Sequence, residues 1–212
     1  MMKFQRLFVL WFLCLGLTGC AAGGWLGNAA GGGGKTVHVE ARYTQLDGRS
    51  VAVLVAANEY ILYQYPDAAL VVSRAVSARI ADNLPNVSIM TPTKVKAFTD
   101  RNLYWLAIPY DELIEILGVE RLVIIELSEY RTHEPGNAHV WQGMISASVD
   151  VVEAERAAIG RLALHEIINV QFPENSSIGL LNQDEETIVL AMVSLFSRDA
   201  AGLFYDHDIE VD

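Results

Sequence analysis

The sequence predicts an α/β fold: a single-domain sandwich with a mixed sheet, helices packed on it, and a carboxy-terminal antiparallel strand set followed by a buried helix. Three observations predict this class. The continuous aliphatic run 51–55 is typical of a central buried strand, and a helix-period pattern follows it. A second aliphatic run, 121–127, begins the last three strands. The last element, residues 185–204, is apolar on nearly all sides between Ile188 and Phe196, which indicates a buried helix.

The first elements follow from the spacing of apolar residues. Residues 37–43 alternate apolar and polar side chains, which predicts a half-exposed strand, and a turn at 47–48 leads into the central strand. Residues 58–65 are expected to form a loop. Beyond Pro66, apolar residues recur every three or four positions as far as Leu84, which predicts a helix.

The middle of the chain is predicted to hold short elements. Residues 87–90 suit a short strand, and Thr91-Pro92 suits the start of a helix that ends near residue 99. A further helix is expected over 109–117, because acidic residues occupy its first turn and Gly118 follows its end.

The last strands are expected to pair as antiparallel neighbours. A turn at 134–137 separates the strand 121–127 from a strand at 140–152, and 161–172 is the third member of the set. Parallel pairing is expected where helices separate the strand 51–55 from its partners.

The amino terminus has the pattern of a secretory signal. Lys3 and Arg6 precede the apolar run 7–17, which is too short to span a bilayer as a helix, and small residues follow it. If this is an ordinary secretory signal without lipid attachment, cleavage is expected near Ala21 or Ala22.

The stretch 17–20, Leu-Thr-Gly-Cys, resembles the lipobox of bacterial lipoproteins at all four positions. The resemblance implies a diacylglyceryl group on Cys20, usually with an N-acyl chain as well. Two or more acyl chains anchor a protein stably to a membrane. In that family Asp at the next position commonly signals retention at the inner membrane. Position 21 is Ala, so the resemblance implies the outer membrane, facing the periplasm.

Three regions are therefore expected: a signal peptide at 1–19, a lipidated Cys20 with a Gly-rich tether at 20–35, and one periplasmic domain at 36–212. Half of residues 21–34 are glycine, which is typical of a flexible linker. The net charge of the chain is −11, which argues against non-specific nucleic-acid binding and against a basic membrane-docking face.

One stretch of the tether has the ending of a phosphate-binding loop. Residues 29–36 read AAGGGGKT, with Ala29 where such a loop has its first glycine. A phosphate-binding loop joins a buried strand to a helix, whereas this stretch follows a linker and precedes a strand. We therefore expect no nucleotide and no other cofactor.

The candidate metal and catalytic residues lack the spacing that such sites need. Asn169 stands where a zinc-protease motif that begins at His165 requires its second histidine. His133 and His139 flank a turn without a third ligand, and the tail 206–212 lacks the glycine of a calcium loop. The tail is expected to be a solvated end or a weak cation site. No catalytic residue and no metal site are predicted.

Aromatic residues give the strongest candidates for partner binding. Tyr60, Tyr63 and Tyr65 fall within six residues of one another after the buried strand, and Tyr104 and Trp105 form a second group. Tyrosine and tryptophan are enriched at protein interfaces, so both groups are candidate contacts for a periplasmic protein partner. The alternative for the first group is that two of the three tyrosines cover the edge of the core.

Three stretches together resemble a superfamily of periplasmic domains: 51–55 (VAVLV), 116–130 (ILGVERLVIIELSEY) and 141–155 (WQGMISASVDVVEAE). The superfamily includes curli-secretion lipoproteins, lipoprotein activators of penicillin-binding proteins and the amino-terminal domain of the Tol translocation protein. The chain departs from the pattern at residues 55–56, where Val-Ala replaces Pro-Phe, and at Glu126, which replaces a glycine. The resemblance implies a shared fold and a non-catalytic adaptor or assembly role.

The leading hypothesis is a membrane-anchored envelope lipoprotein that acts as a non-catalytic protein-binding or assembly module. One alternative is an oligomeric component of an envelope transport or secretion system. Another is an enzyme or metal-binding protein of a type that the motifs do not identify.

Overall fold

The computed structural model describes residues 35–174 and 179–211. The strands are β1 Lys35–Val39, β2 Ser50–Ala57, β3 Ser88–Ile89, β4 Arg121–Glu134, β5 Asn137–Glu153, β6 Leu162–Phe172 and β7 His207–Val211. The helices are α1 Glu59–Gln64, α2 Ala68–Asn83, α3 Pro92–Arg101, α4 Tyr110–Leu117 and α5 Glu185–Gly202, with 3-10 turns at Trp105–Ala107 and Ala154–Ile159. The predicted signal peptide, Cys20 and nearly all of the tether lie outside the described residues.

Five strands form one mixed sheet in the order β3-β2-β4-β5-β6. β2 pairs in parallel with β3 and with β4, whereas β4, β5 and β6 are antiparallel neighbours. Helices lie between β2 and its two parallel partners along the chain, which provides the long connections that parallel pairing needs. The predicted α/β class, with its mixed sheet and antiparallel set followed by a helix, is confirmed.

Both faces of the sheet centre are covered by helices. Val51, Val53 and Val55 belong to a core that contains residues of α2 and α5, whereas Ala52 and Leu54 belong to a second core formed with α3 and α4. Successive residues of a strand point to opposite faces, so both sets must be apolar when both faces are covered. This burial explains why 51–55 is a continuous aliphatic run.

Residues 58–65 were expected to form a loop, but 59–64 form the helix α1 with a capping residue at each end, so that prediction was wrong. Asn58 caps the helix, because its Oδ1 accepts a hydrogen bond from the Ile61 amide at 2.9 Å. The Ile61 side chain is buried in the first core. A cap at one end and a buried anchor in the middle stabilise a helix that would be too short to form alone.

The chain termini differ from the sequence prediction in two ways. The predicted strand at 37–43 ends at Val39, and Tyr43 instead packs in the first core. The tail, predicted to be a solvated end or a weak cation site, contains β7, which pairs with β1 in a separate two-stranded sheet. Alternation of His207, Ile209 and Val211 with acidic residues suits such a strand.

β4 and β5 are longer than the sequence patterns indicated. They form a hairpin that turns at Pro135-Gly136, where Gly136 has φ +80°. Glycine adopts this left-handed conformation without steric cost. β4 pairs with β2 only as far as Leu127, so the last part of the hairpin extends beyond β2.

No helix within residues 35–174 and 179–211 has both the length and the apolar character that crossing a bilayer requires.

Candidate functional site

A cleft of about 520 Å³ lies between α1 and the β4–β5 hairpin. One wall consists of Asn58 and residues of α1, and the other consists of hairpin residues between Ser128 and Ala138. The cleft therefore opens where β2 ends and β4 continues without it.

The sheet topology explains the position of this cleft. Along the chain β2 is followed by β3, which pairs on one side of it, and then by β4, which pairs on the other side. The connection that leaves the carboxyl end of β2 therefore runs to one side, towards β3, whereas β4 on the other side continues into β5, so the strand order reverses between β2 and β4. In open α/β sheets, ligands commonly bind in the crevice at such a point.

The three tyrosines of the sequence prediction have different surroundings. Tyr60 lines the cleft with 68% of its surface exposed, and its hydroxyl accepts a hydrogen bond from Gln64 at 3.0 Å. Tyr65 also lines the cleft but is half-buried against the first core. Tyr63 is 87% exposed and does not line the cleft.

Tyr65 connects α1 to β4. Its hydroxyl lies 3.0 Å from Thr132 Oγ1 and accepts a hydrogen bond from the Thr132 amide at 3.3 Å. The ring of Tyr65 packs on that of Tyr130, with 5.0 Å between the centroids, and burial raises the pKa of Tyr130. Tyr65 therefore supports one wall of the cleft and also covers the edge of the core.

Arg131 is held by groups of the hairpin itself. Its Nε donates to Glu129 Oε1 at 2.6 Å, and its Nη1 donates to the His133 carbonyl at 2.7 Å and to the Gln142 carbonyl at 3.2 Å. These contacts fix the guanidinium along the hairpin wall and neutralise one carboxylate there.

The histidines of the sequence analysis have separate positions. The His133 ring stacks on Trp141, with 3.9 Å between the centroids, whereas His139 is exposed near the hairpin turn. His165 lies on β6, as the strand pattern predicted, and its Nδ1 is 2.5 Å from Asp150 Oδ1. In the described part of the chain, no three His, Cys, Asp or Glu side chains are grouped so that they could hold a metal ion.

A second, smaller concavity of about 200 Å³ lies on the other side of α1 and includes Leu62, Leu103 and Leu106 in its lining. Tyr104, beside it in sequence, is 86% exposed, whereas Trp105 is 6% exposed and packs in the second core. Of the predicted aromatic pair, Tyr104 is exposed on the surface, whereas Trp105 is part of the core beneath it.

The hairpin wall was missing from the sequence prediction. Its local signal is the alternation in residues 129–134, where Tyr130 and Thr132 are separated by charged or polar side chains. That pattern predicts a strand that continues beyond the aliphatic run. Its position opposite α1 depends on the sheet order, which no local pattern specifies.

No protein-family model matches the sequence, and no curated protein matches it. Structurally similar chains include PelC from the dodecamer of Paraburkholderia phytofirmans, with 8% identity, a TM-score of 0.47 and coverage of 79% of this chain and 96% of that one. Lipoprotein GNA1162 from Neisseria meningitidis has 12% identity and a TM-score of 0.45, with 71% and 97% covered. Protein XCC0632 from Xanthomonas campestris has 8% identity and a TM-score of 0.47, with 76% and 85% covered. Likeness at this level carries no argument about function.

Proposed function

We propose that this protein is a membrane-anchored lipoprotein of the bacterial cell envelope that acts as a non-catalytic protein-binding or assembly module. The cleft between α1 and the hairpin carries this proposal. It is concave, and Tyr60 and Tyr65 line it together with polar groups. Aromatic rings with polar tips, set around a concave surface, are typical of protein-recognition sites.

The contacts within the cleft favour a protein partner over a small polar ligand. A small-molecule site usually offers polar groups that converge on one point. Here Arg131 is engaged by Glu129, and the Tyr65 hydroxyl is engaged by Thr132. The surface that remains available is the face of Tyr60 and the length of the hairpin wall, which suits an extended contact.

The lipobox resemblance at 17–20 supports the membrane anchor. Lipid on Cys20 would hold the folded domain at a membrane surface, and Ala21 favours the outer membrane, facing the periplasm. Replacement of Cys20 by Ser in the full precursor should abolish the incorporation of labelled fatty acid into the protein. Equal labelling of the wild type and the Cys20→Ser variant would contradict lipid anchoring at this residue.

The partner site is tested by site-specific photo-crosslinking in cells that express the full chain. A photoreactive residue at Tyr60 should give a protein adduct, which mass spectrometry would identify. The matched control is Leu190, which is 63% exposed on α5 and lies outside the cleft lining. An absence of adducts specific to Tyr60 would remove the cleft as the partner site.

A further inference from the structure

The second half of β4 has one edge without a neighbouring strand. Pairing between β2 and β4 ends at Ala57 and Leu127, whereas β4 continues to Glu134. The other edge of β4 pairs with β5 along both halves of the strand, with register shifts between Leu127 and Glu129 and between Arg131 and Glu134. Among residues 35–174 and 179–211, no strand pairs with residues 128–134 on the side where β2 would continue.

The cleft follows this edge. Successive side chains of a strand point to opposite faces of the sheet. Tyr130 belongs to the core face, yet its neighbours Glu129 and Arg131 line the same cleft with it. A cavity that contacts side chains from both faces of β4 lies along the edge of that strand, and α1 forms the opposite wall of the cavity.

One backbone group on this edge is held by a side chain. The Thr132 amide donates to the Tyr65 hydroxyl at 3.3 Å, which is long for an N–H···O hydrogen bond. This contact shows that the Thr132 amide points towards α1 and into the space that a further strand would occupy. Thr132 is buried while the Tyr65 hydroxyl holds this position, so a bound peptide must displace Tyr65 before one of its carbonyl groups can replace the hydroxyl as the acceptor.

We propose that residues 128–134 of β4 bind an extended segment of a partner protein as an added strand. This inference rests on the proposed function and specifies how the partner is recognised. Backbone hydrogen bonds would supply affinity. Successive side chains of the segment would point to opposite faces of the sheet and contact the hairpin residues on each face. Seven residues of strand extend over roughly 23 Å.

The charge of the site selects the partner segment. Glu129 and Glu134 line the cleft, and Glu185 Oε1 lies 3.4 Å from Thr132 Oγ1. Arg131 offsets one of these carboxylates through its ion pair with Glu129. The whole chain carries a net charge of −11, so a second copy would be repelled. The segment is therefore expected to come from another protein and to contain Lys or Arg.

The test selects peptides from a random displayed library against the full chain and measures their affinity for two variants. Gln64→Trp places a large ring in the cleft, whereas Tyr63→Trp changes the neighbouring exposed residue outside the lining. Peptides that bind in the cleft should lose affinity for the first variant only. Circular dichroism and urea unfolding of both variants establish that they are folded.

Backbone N-methylation of the selected peptides then distinguishes an added strand from other binding modes. In an added strand, only alternate amides point towards β4, so methylation at every second position should weaken binding by about tenfold and methylation between them should not. The peptides should be enriched in Lys and Arg, and hydrogen exchange of the amides in 128–134 should slow.

Three results would overturn the inference. In the first, peptides that lose affinity for Gln64→Trp bind as helices, or are weakened equally by methylation at every position. Either observation would exclude strand addition and would keep the cleft as a partner site. If the full chain forms a dimer and Gln64→Trp dissociates it, the edge of β4 binds a second copy of this chain and not a segment of another protein. A library without peptides sensitive to Gln64→Trp would overturn both the inference and the proposed partner site.

Discussion

The hydroxyl of Tyr65 lies 3.0 Å from Oγ1 of Thr132 and accepts the Thr132 amide hydrogen at 3.3 Å. The two residues are 67 positions apart in the chain. This contact ties α1 to the edge of β4 and so sets the width of the cleft between them. Thr132 is fully buried, which makes the loss of its partner costly.

Tyr65→Phe removes the hydroxyl and keeps the ring contact with Tyr130. We expect the free energy of unfolding to fall by about 1 kcal/mol, because the Thr132 amide loses its acceptor. Urea unfolding followed by circular dichroism would measure this change. Tyr63→Phe is the control, and it should alter stability by less than about 0.5 kcal/mol because Tyr63 is exposed. Equal effects of the two substitutions would show that the Tyr65 hydroxyl does not support the fold.

Tyr104 and Trp105 are adjacent in the chain but should respond very differently to truncation. Trp105→Ala removes a large side chain from the second core, and we expect a loss of about 3 kcal/mol in the free energy of unfolding. Tyr104→Ala should change stability by less than about 0.5 kcal/mol, since its ring is exposed. Chemical denaturation of the two variants side by side measures the difference. A large loss of stability in Tyr104→Ala would mean that its ring is packed in solution.

Arg121 is a buried cation at the start of β4. Its Nη1 donates to Glu155 Oε2 at 2.7 Å and to the Glu120 carbonyl at 2.8 Å, and its Nε donates to the Gln45 carbonyl at 3.3 Å. Arg121→Met would leave these carbonyl groups without their donor. Glu155 is 56% exposed, so water can solvate its carboxylate once Arg121 is removed. We therefore expect a loss of about 2 kcal/mol in the free energy of unfolding, which comes mainly from the lost hydrogen bonds and is measured by urea titration.

Arg198 provides the matched control for this substitution. It forms ion pairs with Glu174 and Asp199, but its side chain is 44% exposed. Exposed pairs contribute little because water solvates both partners, so Arg198→Met should cost less than about 1 kcal/mol. A similar cost for the two arginines would contradict a specific role for the buried network.

Much of the sheet could be predicted because its signals are local. The continuous aliphatic residues of β2 reflect burial on both faces, and the apolar spacing of α2 reflects one buried side of a helix. The turn at Gly136 and the cap at Gly118 need left-handed conformations that glycine adopts freely. Each of these features is set by residues close together in the chain.

Other elements depend on contacts between distant residues. α1 is too short for helical propensity alone to determine its conformation, and the burial of Ile61 stabilises the helix. β7 pairs with β1 from the opposite end of the chain, and His38 contacts Asp208 across 170 positions. The tyrosine cluster was visible as a candidate because it is local. Its opposite wall, around Thr132, becomes part of the site only through the sheet order.

Tyr43 should make stability depend on pH in the alkaline range. Burial, assisted by the hydrogen bond of its hydroxyl to Glu153 Oε1 at 3.0 Å, raises the pKa of Tyr43 to about 12 in the folded protein. In the unfolded chain the pKa is about 10. The contribution of Tyr43 to stability is therefore complete below about pH 10, where the phenol is neutral in both states. It declines by about 1.4 kcal/mol per pH unit between about pH 10 and pH 12, because the unfolded state releases the proton first.

Tyr43→Phe isolates this effect from other groups that titrate in the same range, among them Tyr130, whose pKa burial also raises. At neutral pH the variant should be less stable than the wild type by about 1 kcal/mol, because the hydrogen bond to Glu153 is lost. As the pH rises above about 10, the wild type should lose stability faster, so the difference shrinks and then changes sign. Urea unfolding of both proteins over this range would measure the difference. A constant difference up to about pH 12 would mean that the Tyr43 phenol ionises equally readily in the folded and unfolded states.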